Sequence, residues 1–399
     1  MSTKKNYKID ALLIHCLYGG AAPSGEDITV YKELSLMNDI LGAKNVKSLL
    51  IDFDRSVWKP LQVLYFFLTL IKTNFLLVFY VFTLRPARVI VHNSFPFFSL
   101  ILVNFLGRFV HIDFYMHNHR IYCSNALLLR DGVYCDLCIR SRSNFGGLKY
   151  RCKNGSFFKS LFYSLHGSLI RFFGLKNIRR FITFSNKHKE IVVSSSVSSE
   201  ERVLVLPHFV DNKAVDYLCG SSLPKISATS RPNFLFAGRL SAEKGVEQLL
   251  EAISKYDTLN ITLVGDGPLK KKLELKYKQY ENIVFLGKLS QPELFKEIYK
   301  SSYLVFNSKC FETFGLVIAE AFSLGKPVIC RNLGSPSDYV QHGVNGFLFS
   351  DANLSQTLLD ACEVDDDFYF SLAQSAKDTY LKFFTADNRI NFYKSQVKE

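Results

Sequence analysis

Short apolar runs recur along the chain with longer amphipathic stretches between them. Runs at 9–16, 46–52, 89–92, 110–116, 181–184 and 203–206 read as strands of one unit. Runs at 234–237, 261–264, 283–286, 303–306, 327–330 and 347–349 read as strands of a second. Periodicity alone does not type such short runs, but their alternation with helical stretches predicts α/β layers. Ser290-Gln-Pro-Glu293 reads as a helix start, with a capping box and an early proline. Between 210 and 232 the chain becomes rich in Ser and Lys and includes Gly220-Ser-Ser, which predicts the linker. A length of 399 residues fits two domains, each with its own core.

Two segments break the alternation. Leu61–Leu84 is apolar apart from Gln62, Thr69, Lys72, Thr73, Asn74 and Thr83, and is long enough to cross a bilayer. A crossing would split what reads as one continuous domain, and the Lys-Thr-Asn break sits mid-segment, where a charge is costly. The expectation is a helix covering the sheet, with an outer face able to dip into a membrane. In Phe157–Phe173, Phe157, Leu161, Leu165 and Leu169 recur at helical spacing, with Lys159, Arg171, Lys176, Arg179 and Arg180 around them. This pattern suits a basic interfacial helix, and equally a core helix with a solvated edge.

Charge sharpens the picture. Residues 1–211 carry 27 Lys and Arg against 14 Asp and Glu, and residues 212–399 carry 22 of each, so the whole excess of +13 lies in the first half. Such a half can face nucleic acid or an anionic membrane. Its aromatic residues lie in apolar runs rather than on a basic strand face, which favours membrane and argues against nucleic acid. Residues 1–8 lead directly into a strand, so no cleavable signal peptide is expected. Nine cysteines without one imply a reducing, cytosolic setting.

The candidate chemistry lies mostly in the second half. Glu312-Thr-Phe-Gly-Leu-Val-Ile-Ala-Glu320 places two carboxylates eight positions apart, with Gly315 opening an apolar helix. A helix N-terminus offers free N–H groups and a positive dipole end to an anion. Carboxylates beside an anion need another task, and accepting hydrogen bonds from sugar hydroxyls is one. Phe234-Leu-Phe-Ala-Gly238-Arg239-Leu-Ser-Ala-Glu-Lys244-Gly245 reads as a strand, a glycine turn and a helix start. Arg239 and Lys244 sit at the edge where doubly wound sheets bind ligands, and a planar fork with a point charge suits a diphosphate.

With these two segments, Leu263-Val-Gly-Asp-Gly267-Pro, Gly334-Ser-Pro-Ser-Asp338 and Gly343-Val-Asn-Gly-Phe347 complete a set whose order and spacing resemble the retaining glycosyltransferases of family 4 (group 1). Asn307-Ser308 departs from the Pro-Ser common in that family and is expected to matter little. The resemblance implies the GT-B fold: two Rossmann-like domains facing each other across a donor-binding cleft. These would be 1–211 for the acceptor and 212–379 for the nucleotide-sugar, with a last helix at about 380–399 packing back on the first. It also implies roles. Arg239 and Lys244 would neutralise the departing diphosphate, Gly315 and Leu316 would add backbone donors, Glu312 would hold the transferred sugar and Glu320 the ribose. Gly19 and Gly20 would face the phosphates from the first domain, and Gly238, Gly267, Lys288 and Phe314 would complete the donor site. His117, in Tyr115-Met-His117-Asn118-His119-Arg120, would bond the donor sugar, with His119 a structural or acceptor neighbour. The acceptor would be a lipid-linked saccharide at the inner face of the cytoplasmic membrane, with UDP the donor base and no cofactor required for catalysis.

Cys123, Cys135, Cys138 and Cys152 lie in a basic insert at 120–155. One C-x2-C with two flanking cysteines suits a structural zinc that would order an insert with little core, and four unrelated thiols is the plainer alternative. Glu26-Asp27 reads as a helix cap, Asp52-Phe-Asp54 as a strand end rather than a metal motif, and Val264-Gly-Asp-Gly-Pro268 lacks the third glycine of a dinucleotide fingerprint.

Overall fold

The apolar runs become two sheets of six parallel strands in the computed structural model, which describes residues 7–17, 24–52, 59–210 and 232–397. The first contains β1 (Ile9–Cys16), β2 (Val46–Ile51), β3 (Pro86–Asn93), β4 (His111–Tyr115), β7 (Arg180–Thr183) and β8 (Val203–Val205). The second contains β9 (Asn233–Ala237), β10 (Asn260–Val264), β11 (Ile283–Gly287), β12 (Tyr303–Phe306), β13 (Val328–Arg331) and β14 (Gly346–Phe349). All twelve expected strands are present. Their runs are apolar throughout because helices cover both faces of a parallel sheet. A two-stranded hairpin, β5 (Leu129–Arg130) with β6 (Val133–Tyr134), lies in the cysteine insert. The expected linker falls at 211–231, outside the described residues.

Strand order places the functional edge. The first sheet runs β2-β1-β3-β4-β7-β8 and the second β11-β10-β9-β12-β13-β14. The chain therefore reverses its direction of growth between β1 and β3, and again between β9 and β12. At such points the loops beyond the strand C-termini diverge and leave a crevice. In the first domain the helices are α1 (Gly25–Leu41), α2 (Lys59–Leu84), α3 (Leu100–Leu106), α4 (Leu137–Arg140), α5 (Phe145–Lys149), α6 (Phe157–Phe173) and α7 (Asn186–Ser194). In the second they are α8 (Val246–Ile253), α9 (Lys270–Lys276), α10 (Gln291–Lys300), α11 (Leu316–Ser323), α12 (Pro336–Tyr339), α13 (Leu354–Cys362) and α14 (Asp366–Phe383).

Helix α2 is the crossover between β2 and β3, both of which pair with β1. It is long and apolar enough to cross a membrane, yet its two ends feed one sheet. The polar break explains its seat: Thr73, Leu77 and Val81 are buried. Asn74 donates to the Phe97 carbonyl (2.8 Å) and accepts from the Ser99 N–H (2.9 Å). The opposite face leaves Val63, Ile71 and Phe75 exposed.

Helix α6 turns its large apolar side chains outward, the facing of the interfacial arrangement, one of the two expected for it. Its buried stripe is Ser160, Ser164, Gly167 and Ile170, while Phe157, Leu165 and Leu169 face outward. The reason is close approach to the cysteine insert. A Cβ on Gly167 would lie 1.9 Å from Asn144 Nδ2, and Ser164 Oγ meets Ser124 Oγ at 2.9 Å. Only small side chains fit there, so the large ones point away from the protein.

The chain ends in α15 (Ala386–Val397), which returns to the first domain. Arg389, almost wholly buried, lies 3.3 Å from the Glu33 carboxylate of α1 and donates to Tyr115 Oη at 3.1 Å. The Tyr393 hydroxyl also meets Glu33. Arg389→Ala would strand a buried carboxylate, a defect that costs about 3–5 kcal/mol. Urea unfolding of the variant should show a midpoint lowered accordingly at an unchanged slope; an unshifted midpoint would show that this cluster does not hold the helix.

Candidate active site

In the second domain the loops after β9 and β12 meet at the switch point. The 265–267 loop lies flat under them because its glycines allow it. A Cβ on Gly265 (φ +143°) would lie 1.8 Å from the Gly238 carbonyl oxygen, and one on Gly267 2.5 Å from that of Leu240. The turn Ala242–Lys244 then delivers Lys244 to the loop after β12, where its ammonium pairs with Glu312 Oε1. Ser308 Oγ donates to the same oxygen at 2.6 Å, and Cys310 Sγ lies 3.4 Å from it. Asn307 backs this loop: its Nδ2 donates to the Gly245 carbonyl (2.7 Å) and its Oδ1 accepts from Arg331 (2.6 Å).

Burial alone would raise the Glu312 pKa. The Lys244 ammonium and the Ser308 and Cys310 donors outweigh it, so the carboxyl is held below its ordinary range. Burial likewise opposes the Lys244 charge, and Glu312 reverses that effect and raises the ammonium pKa. Arg239, on the same loop after β9 as Lys244, is exposed, and no ion pair holds it among the described residues. Helix α11 starts at Leu316 behind Gly315 (φ +94°), with no side-chain cap. The Ile318 N–H is taken by the Gly315 carbonyl at 3.0 Å, which leaves Leu316 and Val317 as the first-turn donors facing outward along the axis. Glu320, on the next turn, is buried and accepts from Gln291 Nε2 at 3.2 Å. Burial raises its pKa against the opposing charge of Lys32 from the first domain.

The first domain supplies the facing wall. His117 follows β4, and its carbonyl accepts from Thr313 Oγ1 of the second domain at 3.0 Å. Its Nε2 lies 2.9 Å from His92 Nδ1, and its ring stacks on His208 with centroids 5.3 Å apart. Burial, then the charges of His15 and Arg389, push its pKa well below the ordinary value. The imidazole is therefore neutral at pH 7. His119 is structural: its Nε2 must carry the proton given to the Phe311 carbonyl (2.9 Å), so Nδ1 accepts from the Tyr122 hydroxyl (2.7 Å). Burial lowers its pKa to about 4.

Several expected residues lie elsewhere. Gly19 and Gly20 are outside the described residues. The Phe314 ring packs against Phe184, His208, Tyr339 and Phe384, so only its backbone faces the site. Lys288 is exposed just beyond β11, the edge strand two places from the switch point. Asp27 caps α1 with Ser24, as expected, and also meets His15 Nε2 at 2.8 Å. Ser308, Thr313, His92 and His208 were not expected at the site. They come from loops and sheet ends that no spacing marks.

The four insert cysteines share a neighbourhood, since Cys138 feels Cys123, Cys152 and Cys135. Even so, no group of three or more His, Cys, Asp or Glu among the described residues is arranged to hold a metal ion. The Cys123 thiol lies instead 2.9 Å from Asn125 Oδ1, to which it donates.

Residues 224–363, within the second domain, match the family model described as glycosyl transferases group 1. An uncharacterized glycosyltransferase of Methanocaldococcus jannaschii is 31% identical over 230 residues, covering 55% of this chain and 63% of the relative. The O-antigen chain mannosyltransferase C of Escherichia coli is 27% identical over 167 residues, covering 40% of this chain and 44% of the relative. The chain thus spans less than two thirds of either relative. The crystal structure of Anabaena HepE in complex with UDP and glucose superposes with a TM-score of 0.61 at 15% identity, covering 98% of this chain and 99% of that one. The fold is GT-B.

The ion pair has a pH signature. With the Glu312 pKa depressed, the stability it contributes is complete above the unfolded carboxylate value of about 4.3 and is lost as the pH falls through the lower folded value. In Lys244→Met the ammonium is gone and burial outweighs the remaining Ser308 and Cys310 donors, so the Glu312 pKa should rise above the ordinary value and the variant should gain stability as the pH falls from 7 to 5. Urea midpoints at the two pH values test this, and a midpoint independent of pH in the variant would contradict the pairing.

Proposed function

We propose that the chain is a retaining glycosyltransferase that moves a sugar from a nucleotide-diphospho-sugar, a UDP-sugar, to a lipid-linked saccharide in bacterial surface polysaccharide assembly. The observation that carries this reading is the Lys244–Glu312 pair, beside exposed Arg239 and the uncapped start of α11, facing neutral His117. Arg239, Lys244 and the N–H groups at Gly315-Leu316 stabilise the charge that develops on the departing diphosphate. Glu312 accepts hydrogen bonds from the transferred sugar and Glu320 from the ribose. Lys244 reaches the diphosphate only by loosening its contact with Glu312, so donor binding exchanges one ionic partner for another and frees the carboxylate for the sugar. His117 serves as a neutral hydrogen-bonding group. Retention without a covalent intermediate rests on the family resemblance, and the E. coli relative supports the pathway.

The acceptor side is argued from charge and surface. The excess positive charge belongs to the first half, and α2 and α6 turn large apolar side chains outward, as suits a peripheral protein at the anionic cytoplasmic face of a membrane. Transfer from UDP-sugars to a membrane lipid extract should fall by about 10²-fold or more in Glu312→Gln, the scale of losing a transition-state contact, with an unchanged circular dichroism spectrum. An unaltered rate would contradict the assignment, and transfer only to water-soluble saccharides would contradict the lipid acceptor.

A further inference from the structure

Between α2 and α6 lies a groove of about 790 Å³. Phe66, Phe67 and Leu70 form one wall, Ile101 closes the α3 side, and Phe162 and Leu169 form the other wall. Groove walls are ordinarily covered in a folded domain, yet Phe67, Phe162 and Leu169 are each at least half exposed. Beyond the groove the same surface continues to Phe75 on α2 and to Phe158 and Phe172 on α6, all strongly exposed. A contiguous apolar surface of this kind marks an interaction site.

The inner end of the groove is cationic and leads to the candidate active site. Phe95, Leu100 and His166 line both the groove and a smaller cavity that also borders His117, Asn118 and Arg120. Aromatic rings carry the cations here: the Arg120 guanidinium lies 5.1 Å from the Phe95 ring centre, and the Lys153 ammonium 4.8 Å from that of Tyr163. Those two rings touch, with centroids 5.3 Å apart. Lys159 lines the same groove. Burial, then the neighbouring charges of Arg120 and Lys159, lower the Lys153 pKa against an opposing contribution from Cys123. Lys153 and Lys159 are like charges at the end of an apolar channel, and an anion placed between them relieves their repulsion.

From this arrangement we propose that the groove between α2 and α6 holds the hydrocarbon chain of the lipid-linked acceptor, with the phosphate joining chain to saccharide against Arg120, Lys153 and Lys159. The chain enters from the membrane over the exposed faces of the two helices. The saccharide then extends past His166 toward His117, where the donor sugar arrives from the second domain. This assignment rests on the glycosyltransferase reading above for the identity of the molecule, but the groove, its charges and its outlet stand on geometry alone. It also accounts for α6 turning its small residues inward, since the large ones are needed as a wall.

Flotation of the full chain with phosphatidylcholine vesicles containing hexadecyl phosphate tests the proposal, together with calorimetric titration of UDP. Wild type should float with these vesicles and not with phosphatidylcholine alone. Leu169→Glu and Phe67→Glu, on opposite walls and already half exposed, should each weaken partition by about tenfold, as should the Lys153→Gln/Lys159→Gln double variant. Equal flotation with phosphatidylglycerol vesicles of matched charge, insensitive to the two wall variants, would mean surface attraction alone and would overturn the groove. Wild type that fails to float, or competition by inorganic phosphate alone, would overturn it too. UDP binding with no wall-variant effect would defeat the groove and leave the donor reading intact. Wall-dependent flotation without UDP binding would support the groove and defeat the donor reading.

Discussion

The Glu312 carboxylate stays charged inside the protein only because the Lys244 ammonium and the Ser308 hydroxyl meet one of its oxygens. Everything near it follows from keeping those three groups together. Lys244 must arrive from the loop after β9, so Gly245 takes a positive φ and lets the Asn307 carbonyl approach to where a Cβ would stand. Ser308 and Glu312 must lie on one turn of the loop after β12, so Asn307 anchors that turn to Gly245 and Arg331. Thr313 then ties the loop to the His117 carbonyl. A charge that is costly to bury thereby couples the reacting end of one domain to the facing wall of the other.

The two domains divide the chemistry. The second is electrically balanced and presents a cradle of backbone donors with one exposed arginine. The first is basic and turns apolar helices outward. His92, His117, His119 and His208 pack against one another and against aromatic rings, and burial keeps them neutral. In the proposed reaction such a neutral imidazole wall would orient hydroxyls without adding positive charge, leaving Arg239 and Lys244 as the cations for the phosphates.

How much was legible in the sequence depended on what set each feature. The strands were, because a parallel strand covered on both faces is a continuous apolar run whatever lies around it. Lys244, Glu312 and the Gly315 helix start were too, because their chain positions relative to strand ends fix where they meet. The facing of α6 was not. Periodicity in Phe157, Leu161, Leu165 and Leu169 suits an outward and an inward stripe equally, and only the close approach at Gly167 shows that the small residues face in. Asn307 was expected to be a minor departure and is instead a buried link between two loops, a role set by tertiary contacts that no local pattern records. The cysteine spacing allowed either a metal or four unrelated thiols, and the hydrogen bond from Cys123 to Asn125 is a tertiary detail that no spacing records.

The account stands on Arg239 being the exposed cation that awaits a diphosphate beside the Lys244–Glu312 pair. Titration calorimetry of UDP and GDP into the wild type and Arg239→Ala is its most direct test. The account predicts that UDP binds the wild type and that the variant binds it at least tenfold more weakly, since a charge-assisted contact to phosphate is worth about 1.5–3 kcal/mol. Equal affinity in the two proteins, or no nucleotide bound by either, would contradict it.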